Sequence, residues 1–142
     1  MSQSLKGKTA LVTGGSRGIG RAIAERLAAD GATVALTYNS SKAGAEEAVA
    51  AIQKAGGSAF ALKAELLDAG SIGPLFEALD AELESRNGSK TLDIVVNNAG
   101  GSGFGGLDNA TAESFDAMFN VFVRAPFFLV QAALSRLSSG GR

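Results

Sequence analysis

The glycines carry the first chemistry in this 142-residue chain. Thr13-Gly14-Gly15-Ser16-Arg17-Gly18-Ile19-Gly20 follows the apolar run Ala10-Leu11-Val12, and Ile19, Ile23 and Leu27 then recur every fourth residue. A strand, a glycine turn and a helix start make an anion site, because free N–H groups and the positive end of the helix dipole face the turn. Gly14, Gly18 and Gly20 let a diphosphate reach the backbone where a side chain would hold it off. The spacing excludes a P-loop, which ends in Gly-Lys-Ser/Thr, and also the Gly-x-Gly-x-x-Gly turn. The competing reading is a capped turn with no ligand. Asn97-Asn98-Ala99-Gly100 is a second constellation, which taken alone is ordinary turn chemistry. The chain has no His and no Cys, which excludes imidazole catalysis, thiol chemistry and structural zinc sites.

These residues need elements to hold them. The first helix is expected to end near Ala29-Asp30, with Gly31 as a left-handed cap. Thr33 to Thr37 reads as a second strand. Ala45, Ala48, Val49 and Ile52 mark a second helix closed at Gly56-Gly57, and Ser58 to Lys63 a third strand. Ile72, Leu75, Phe76, Leu79 and Leu83 form a helical stripe, and Arg86-Asn87-Gly88-Ser89 turns the chain into a fourth strand, Leu92 to Val96. Four βα units at this spacing predict an α/β fold, a doubly wound parallel sheet with right-handed crossovers, in one domain over residues 1–142. A last helix is expected from Thr111 to Leu137, kinked at Pro126. The glycine-rich stretch Gly100 to Gly106 falls at a strand's carboxyl end, where open α/β sheets bind ligands, and reads as a mobile loop beside the site.

Composition narrows the function classes. A formal net charge of −1 offers no basic surface for nucleic acid. No run approaches the ~18 apolar residues of a membrane span. Met1-Ser2-Gln3-Ser4 runs into the first strand without an apolar leader, and a soluble, cytoplasmic protein is expected.

The Thr-Gly-x-x-x-Gly-x-Gly turn joined to Asn97-Asn98-Ala99-Gly100 resembles the short-chain dehydrogenase/reductase family, and the likeness runs from Leu5 onward. The resemblance implies the N-terminal, Rossmann-type portion of an oxidoreductase that moves hydride between a nicotinamide cofactor and a carbonyl or alcohol. The expected strand order is 3-2-1-4, cut before a fifth strand. By the same resemblance Asn98, Ala99 and Gly100 lie beside the adenine-side ribose and Asn97 helps fix the sheet. Glu65, followed by Leu66, takes the place of the acidic residue (usually Asp) that meets the adenine.

A binder of NAD carries an acid about 20 residues past the glycine turn, on the ribose hydroxyls. Here the region reads Thr37-Tyr38-Asn39-Ser40-Ser41-Lys42, without one. Tyr38, Asn39, Ser40 and Lys42, with Arg17 in the turn, suit a 2′-phosphate and predict NADP(H) over NAD(H). The resemblance agrees, since NADP-preferring members often carry a basic residue at the Arg17 position. The alternative for Arg17 and Lys42 is solvated surface charge.

Catalysis is where the chain departs from the family. The family uses a Ser, a Tyr-x-x-x-Lys pair and a relay Asn; the first three lie on and after a fifth strand, beyond Arg142. Tyr38 is the only tyrosine, and it ends a strand while Ser40-Ser41 read as helix caps, so the Tyr38–Lys42 spacing is a decoy. In Phe115 to Phe128 the relay slot is Phe122, with Asn120 two residues earlier on another side of the helix. Phe115, Met118, Phe119 and Phe122 form an i, i+3, i+4, i+7 stripe, so Phe122 reads as core packing. No catalytic residue is assigned, and the chain by itself is expected to be inactive.

The fourth strand, Leu92-Asp93-Ile94-Val95-Val96, is nearly all apolar and would be a bare edge. That edge, or the final helices with Phe127, Val130, Leu134 and Leu137, predicts a homo-oligomer. The leading reading is a dinucleotide-binding half that cannot turn over alone. The alternative is a non-enzymatic truncated or redesigned scaffold whose remaining property is self-assembly.

Overall fold

A computed structural model describes residues 3–103 and 105–142. Met1 and Ser2, and Phe104 in the expected mobile loop, lie outside the described residues. Strands β1 (Thr9–Val12), β2 (Thr33–Tyr38), β3 (Ser58–Lys63) and β4 (Ile94–Val96) form one parallel sheet in the order β3-β2-β1-β4. Ala10 pairs with Val34 on one side and Ile94 on the other, so β1 is an inner strand and its four residues are buried. This is the doubly wound order expected.

Alternation along the strands splits the core in two. Ala10 and Val12 face α1 (Gly18–Ala29) and α2 (Lys42–Lys54), while Leu11 faces α3 (Ile72–Asn87) and the last helix. The α3 stripe Ile72, Leu75, Phe76, Leu79 and Leu83 is buried as the periodicity predicts. On α1 the buried face is not the one that carries the every-fourth-residue spacing. Gly20, Ala24 and Ala28 point inward, whereas Ile19 is 74% exposed and Ile23 and Leu27 are only partly covered. The reason is distance: Ala24, Ala28, Ala45 and Ala48 let α1 and α2 settle close to the sheet, where larger side chains would not fit.

Three expectations are corrected. The single last helix is α4 (Ala112–Phe119), a π-turn (Asn120–Arg124) and α5 (Ala125–Ala133). Pro126 sits in the first turn of α5, and the break falls just before it because proline has no N–H to give and crowds the preceding turn. Phe115, Phe119 and Phe122 are about half exposed, so the aromatic stripe is not core; the π-turn rotates the face, and Val121, Ala125, Leu129 and Ala133 take the inward positions. Finally, the edge of β4 is not bare. Leu92 N–H donates to Arg136 O (2.8 Å), Ser138 N–H to Leu92 O (2.9 Å), Arg142 N–H to Asp93 O (2.9 Å) and Val95 N–H to Arg142 O (2.7 Å).

That C-terminal segment is held by two carboxylates. Arg136 grips Asp80 on α3 with Nε at 2.6 Å and Nη2 at 2.7 Å, which holds the Asp80 carboxyl below the usual carboxylate range. Burial alone would raise the Asp93 carboxyl. Ser138 Oγ (2.7 Å), Thr9 N–H (2.8 Å) and the Lys8 ammonium (3.4 Å) outweigh burial and hold it low.

Candidate functional site

At the carboxyl ends of the strands lies a cleft of about 450 Å³. Two threonines near strand ends brace the turn beside it. Thr13, just past β1, is buried; its Oγ1 accepts N–H bonds from Asn98 (3.0 Å) and Ala99 (2.9 Å) and reaches Val96 O at 3.3 Å. Thr37, near the end of β2, accepts from Gly14 N–H through Oγ1 (3.2 Å) and from Gly15 N–H through its carbonyl (2.9 Å). The Asn98 amide donates to Thr13 O (3.0 Å) and Gly14 O (3.1 Å). The glycine turn is therefore tied to both neighbouring strand ends before any ligand arrives.

The turn fits a bound diphosphate. Gly18 has φ +57°, and a Cβ there would meet nothing within 4 Å, so its missing side chain leaves open space. At Gly20 a Cβ would fall 2.2 Å from Gly14 O and 2.4 Å from Asn98 Nδ2, so glycine there closes the helix start onto the turn. Arg17 occupies the N-cap of α1 without a capping side-chain bond, and the first turn of the helix holds no acid. The N–H groups of that turn therefore face the cleft as anion donors.

Of the expected site residues, Gly14, Ser16, Arg17, Gly18, Ile19, Tyr38, Asn39, Ser40, Glu65, Leu66, Asn98, Ala99 and Gly100 line this one cleft. Gly20 lies beneath it. Lys42 does not line it: it is the first residue of α2, well exposed, with Nζ 3.7 Å from Glu46 Oε1. Ser41 stands at the N-cap of α2 but makes no capping bond. Glu65 Oε1 accepts the Leu67 N–H (3.1 Å). The brace next to the sheet is Asn98, while Asn97 is exposed. Reading the sequence missed Thr13 and Thr37 as braces, although a buried hydroxyl residue at the end of an apolar strand is a signal that could have found them. It also missed Val121, which reaches the cleft wall from the π-turn and carries no local signal at all.

A parallel sheet with an open helix N-terminus over an inner strand is the arrangement at which proteins of the doubly wound class bind dinucleotides. A family model described as short chain dehydrogenase matches residues 8–142, and the chain belongs to that family. It is 43% identical over 140 residues to the hydroxynaphthalene reductase-like protein Arp2 of Metarhizium guizhouense, covering 99% of this chain and 50% of that protein. The chain spans about half the length of the curated relatives it matches. Among solved structures, the landomycin C-6 ketoreductase LanV with bound NADP and rabelomycin superimposes with a TM-score of 0.96 at 52% identity, over 99% of this chain and 58% of that one. The promiscuous reductase LugOII, which catalyses keto-reduction at C1 in lugdunomycin biosynthesis, gives 0.95 at 50% identity, over 99% and 58%.

Proposed function

We propose that this chain is the NADP(H)-binding half of a short-chain ketoreductase. The observation that carries the reading is the braced glycine turn, whose uncapped helix start faces a cleft running to the ends of β2 and β3. Gly14, Ser16, Gly18 and Ile19 would surround the diphosphate. Arg17, Tyr38, Asn39 and Ser40 would meet the 2′-phosphate, Glu65 and Leu66 the adenine, and Asn98 to Gly100 its ribose. The bound cofactor would supply the hydride. This chain's residues bind and orient it, and the 142-residue polypeptide alone is expected to show no ketone reduction, since its one tyrosine ends β2 and Lys42 faces away to Glu46. The naphthalene in one relative's name and the ketoreductase activity of others support a ketone on a fused aromatic ring as the substrate class of the whole protein.

Titration calorimetry tests the reading: NADPH should bind, and more tightly than NADH. At a hundredfold excess over Kd it should stabilise the fold by about 2.7 kcal/mol. An unchanged melting point at saturating NADPH would leave a scaffold only. We also infer a homo-oligomer, supported by the exposed row Val123, Phe127, Val130 and Leu134 on one face of α5 and the turn before it. Phe127→Asp with Leu134→Asp should lower the sedimentation coefficient; a wild-type chain that sediments as a monomer at all concentrations would refute the assembly.

A further inference from the structure

The end of α3 carries chemistry that the cleft does not use. Asn87-Gly88 is the only asparagine–glycine pair in the chain. The side-chain amide carbon of an asparagine lies within reach of the next residue's backbone nitrogen, and joining them closes a five-membered ring. Glycine crowds that approach least, because it has no Cβ. At Gly88 the surroundings are open: a Cβ there would meet nothing within 4 Å, and φ +68° marks the residue as the left-handed cap of the helix.

Two hydrogen bonds hold the reacting groups apart. Gly88 N–H donates to Glu84 O (2.9 Å), which engages the nucleophile, and Asn87 Nδ2 donates to Thr9 Oγ1 (3.3 Å), which draws the amide towards the first residue of β1. The lock is shallow. Leu83 is the last buried residue of α3, while Glu84 to Asn87 and the connection Gly88 to Thr91 are exposed. The final turn can therefore open without disturbing the core.

We propose that Asn87 is a deamidation site gated by the last turn of α3, with water as the co-reactant. When the turn opens, base removes the Gly88 amide proton, the nitrogen bonds to Asn87 Cγ, and the Cγ–Nδ2 bond breaks with release of ammonia. Water then opens the imide ring at either carbonyl. One opening leaves aspartate at position 87, and the other leaves isoaspartate, whose main chain runs through the side-chain carbon. Nothing is oxidised or reduced. Either product sets a carboxylate at the negative end of the α3 dipole and removes the amide donor to Thr9. The site lies at the amino end of β1, away from the cleft at the carboxyl ends, so its test needs no cofactor.

Folded chain is incubated in mildly alkaline buffer, and peptide mapping by mass spectrometry follows amide loss at each of the six asparagines. Asn87 should react first and yield both aspartate and isoaspartate. Its rate should be roughly 5- to 100-fold below that of chain unfolded in urea, the protection expected of two hydrogen bonds. Thr9→Val, which removes one of them, should speed the native reaction roughly 2- to 10-fold. Gly20→Ala, a destabilising change at the other end of β1, should leave it unchanged, since only the last turn of α3 has to open. First loss at another asparagine, or no loss at Asn87 while the urea-unfolded chain reacts, would overturn the site. Equal rates in native and unfolded chain would overturn the gate. Acceleration by Gly20→Ala as large as that by Thr9→Val would overturn it too, because Asn87 would then open only with the whole fold.

Discussion

Replacing Gly20 by Ala sets helix propensity against a backbone clash. Alanine inside a helix gains about 0.5–1 kcal/mol over glycine. Against it, the new methyl would stand 2.2 Å from Gly14 O and 2.4 Å from Asn98 Nδ2, two atoms already joined by a 3.1 Å hydrogen bond. Opening a packed contact of this kind costs about 1–3 kcal/mol, and the bond it separates about 1 more. The net is a loss of about 2 kcal/mol, or a melting point lower by roughly 6 °C for a chain of this size. Thermal unfolding by circular dichroism reads it directly. Two glycines act as controls: Gly73 in α3 has open space around it and an ordinary backbone, so Gly73→Ala should raise the melting point slightly. Gly18→Ala, at φ +57° and without a clash, should cost about 1 kcal/mol. A Gly20→Ala chain that melts at or above wild type would refute the claim that the helix start is locked onto the turn.

Thr13→Val keeps the shape of the brace but strands the Asn98 and Ala99 N–H groups, and should lose about 3 kcal/mol in urea unfolding; a loss under about 0.5 kcal/mol would show that water or a shifted loop replaces the hydroxyl. Arg17→Ala should reduce the preference for NADPH over NADH about tenfold, whereas Lys42→Ala, already engaged with Glu46, should change it little; equal effects would return Lys42 to the site. Asp80 and Asp93 have folded pKa values below the unfolded value of about 3.9, so their contribution is fully present above that pH and is lost as pH falls through the depressed values. Urea midpoints should therefore drop below about pH 4, less so in Asp80→Asn; a midpoint that rises on acidification would contradict the sign.

The parallel sheet, its order and the glycine turn were legible because each rests on local chemistry. β3 occupies Ser58–Lys63 as its residues imply, and the α3 stripe is buried residue for residue. The cleft was legible where it follows a strand end: Gly14, Ser16 to Ile19, Tyr38 to Ser40, Glu65 and Leu66, and Asn98 to Gly100 line one cavity. The structure adds what sequence does not show where side-chain direction depends on a neighbour. Lys42 has the right charge and the right place along the chain, but at the start of α2 it reaches Glu46, one helical turn on. Ile19, Ile23 and Leu27 have helical spacing, yet the closeness of α1 to the sheet selects glycine and alanine for the buried face.

The chain alone determined that a strand would deliver a glycine-lined, helix-capped turn, since backbone freedom and helix dipoles belong to consecutive residues. Only tertiary structure decided that Thr13 and Thr37 would tie that turn down, that Asn98 rather than Asn97 would brace it, and that a π-turn before Pro126 would lay Phe122 on Gly100. Those contacts join residues far apart along the chain, and their partners are fixed by packing, which no local periodicity encodes.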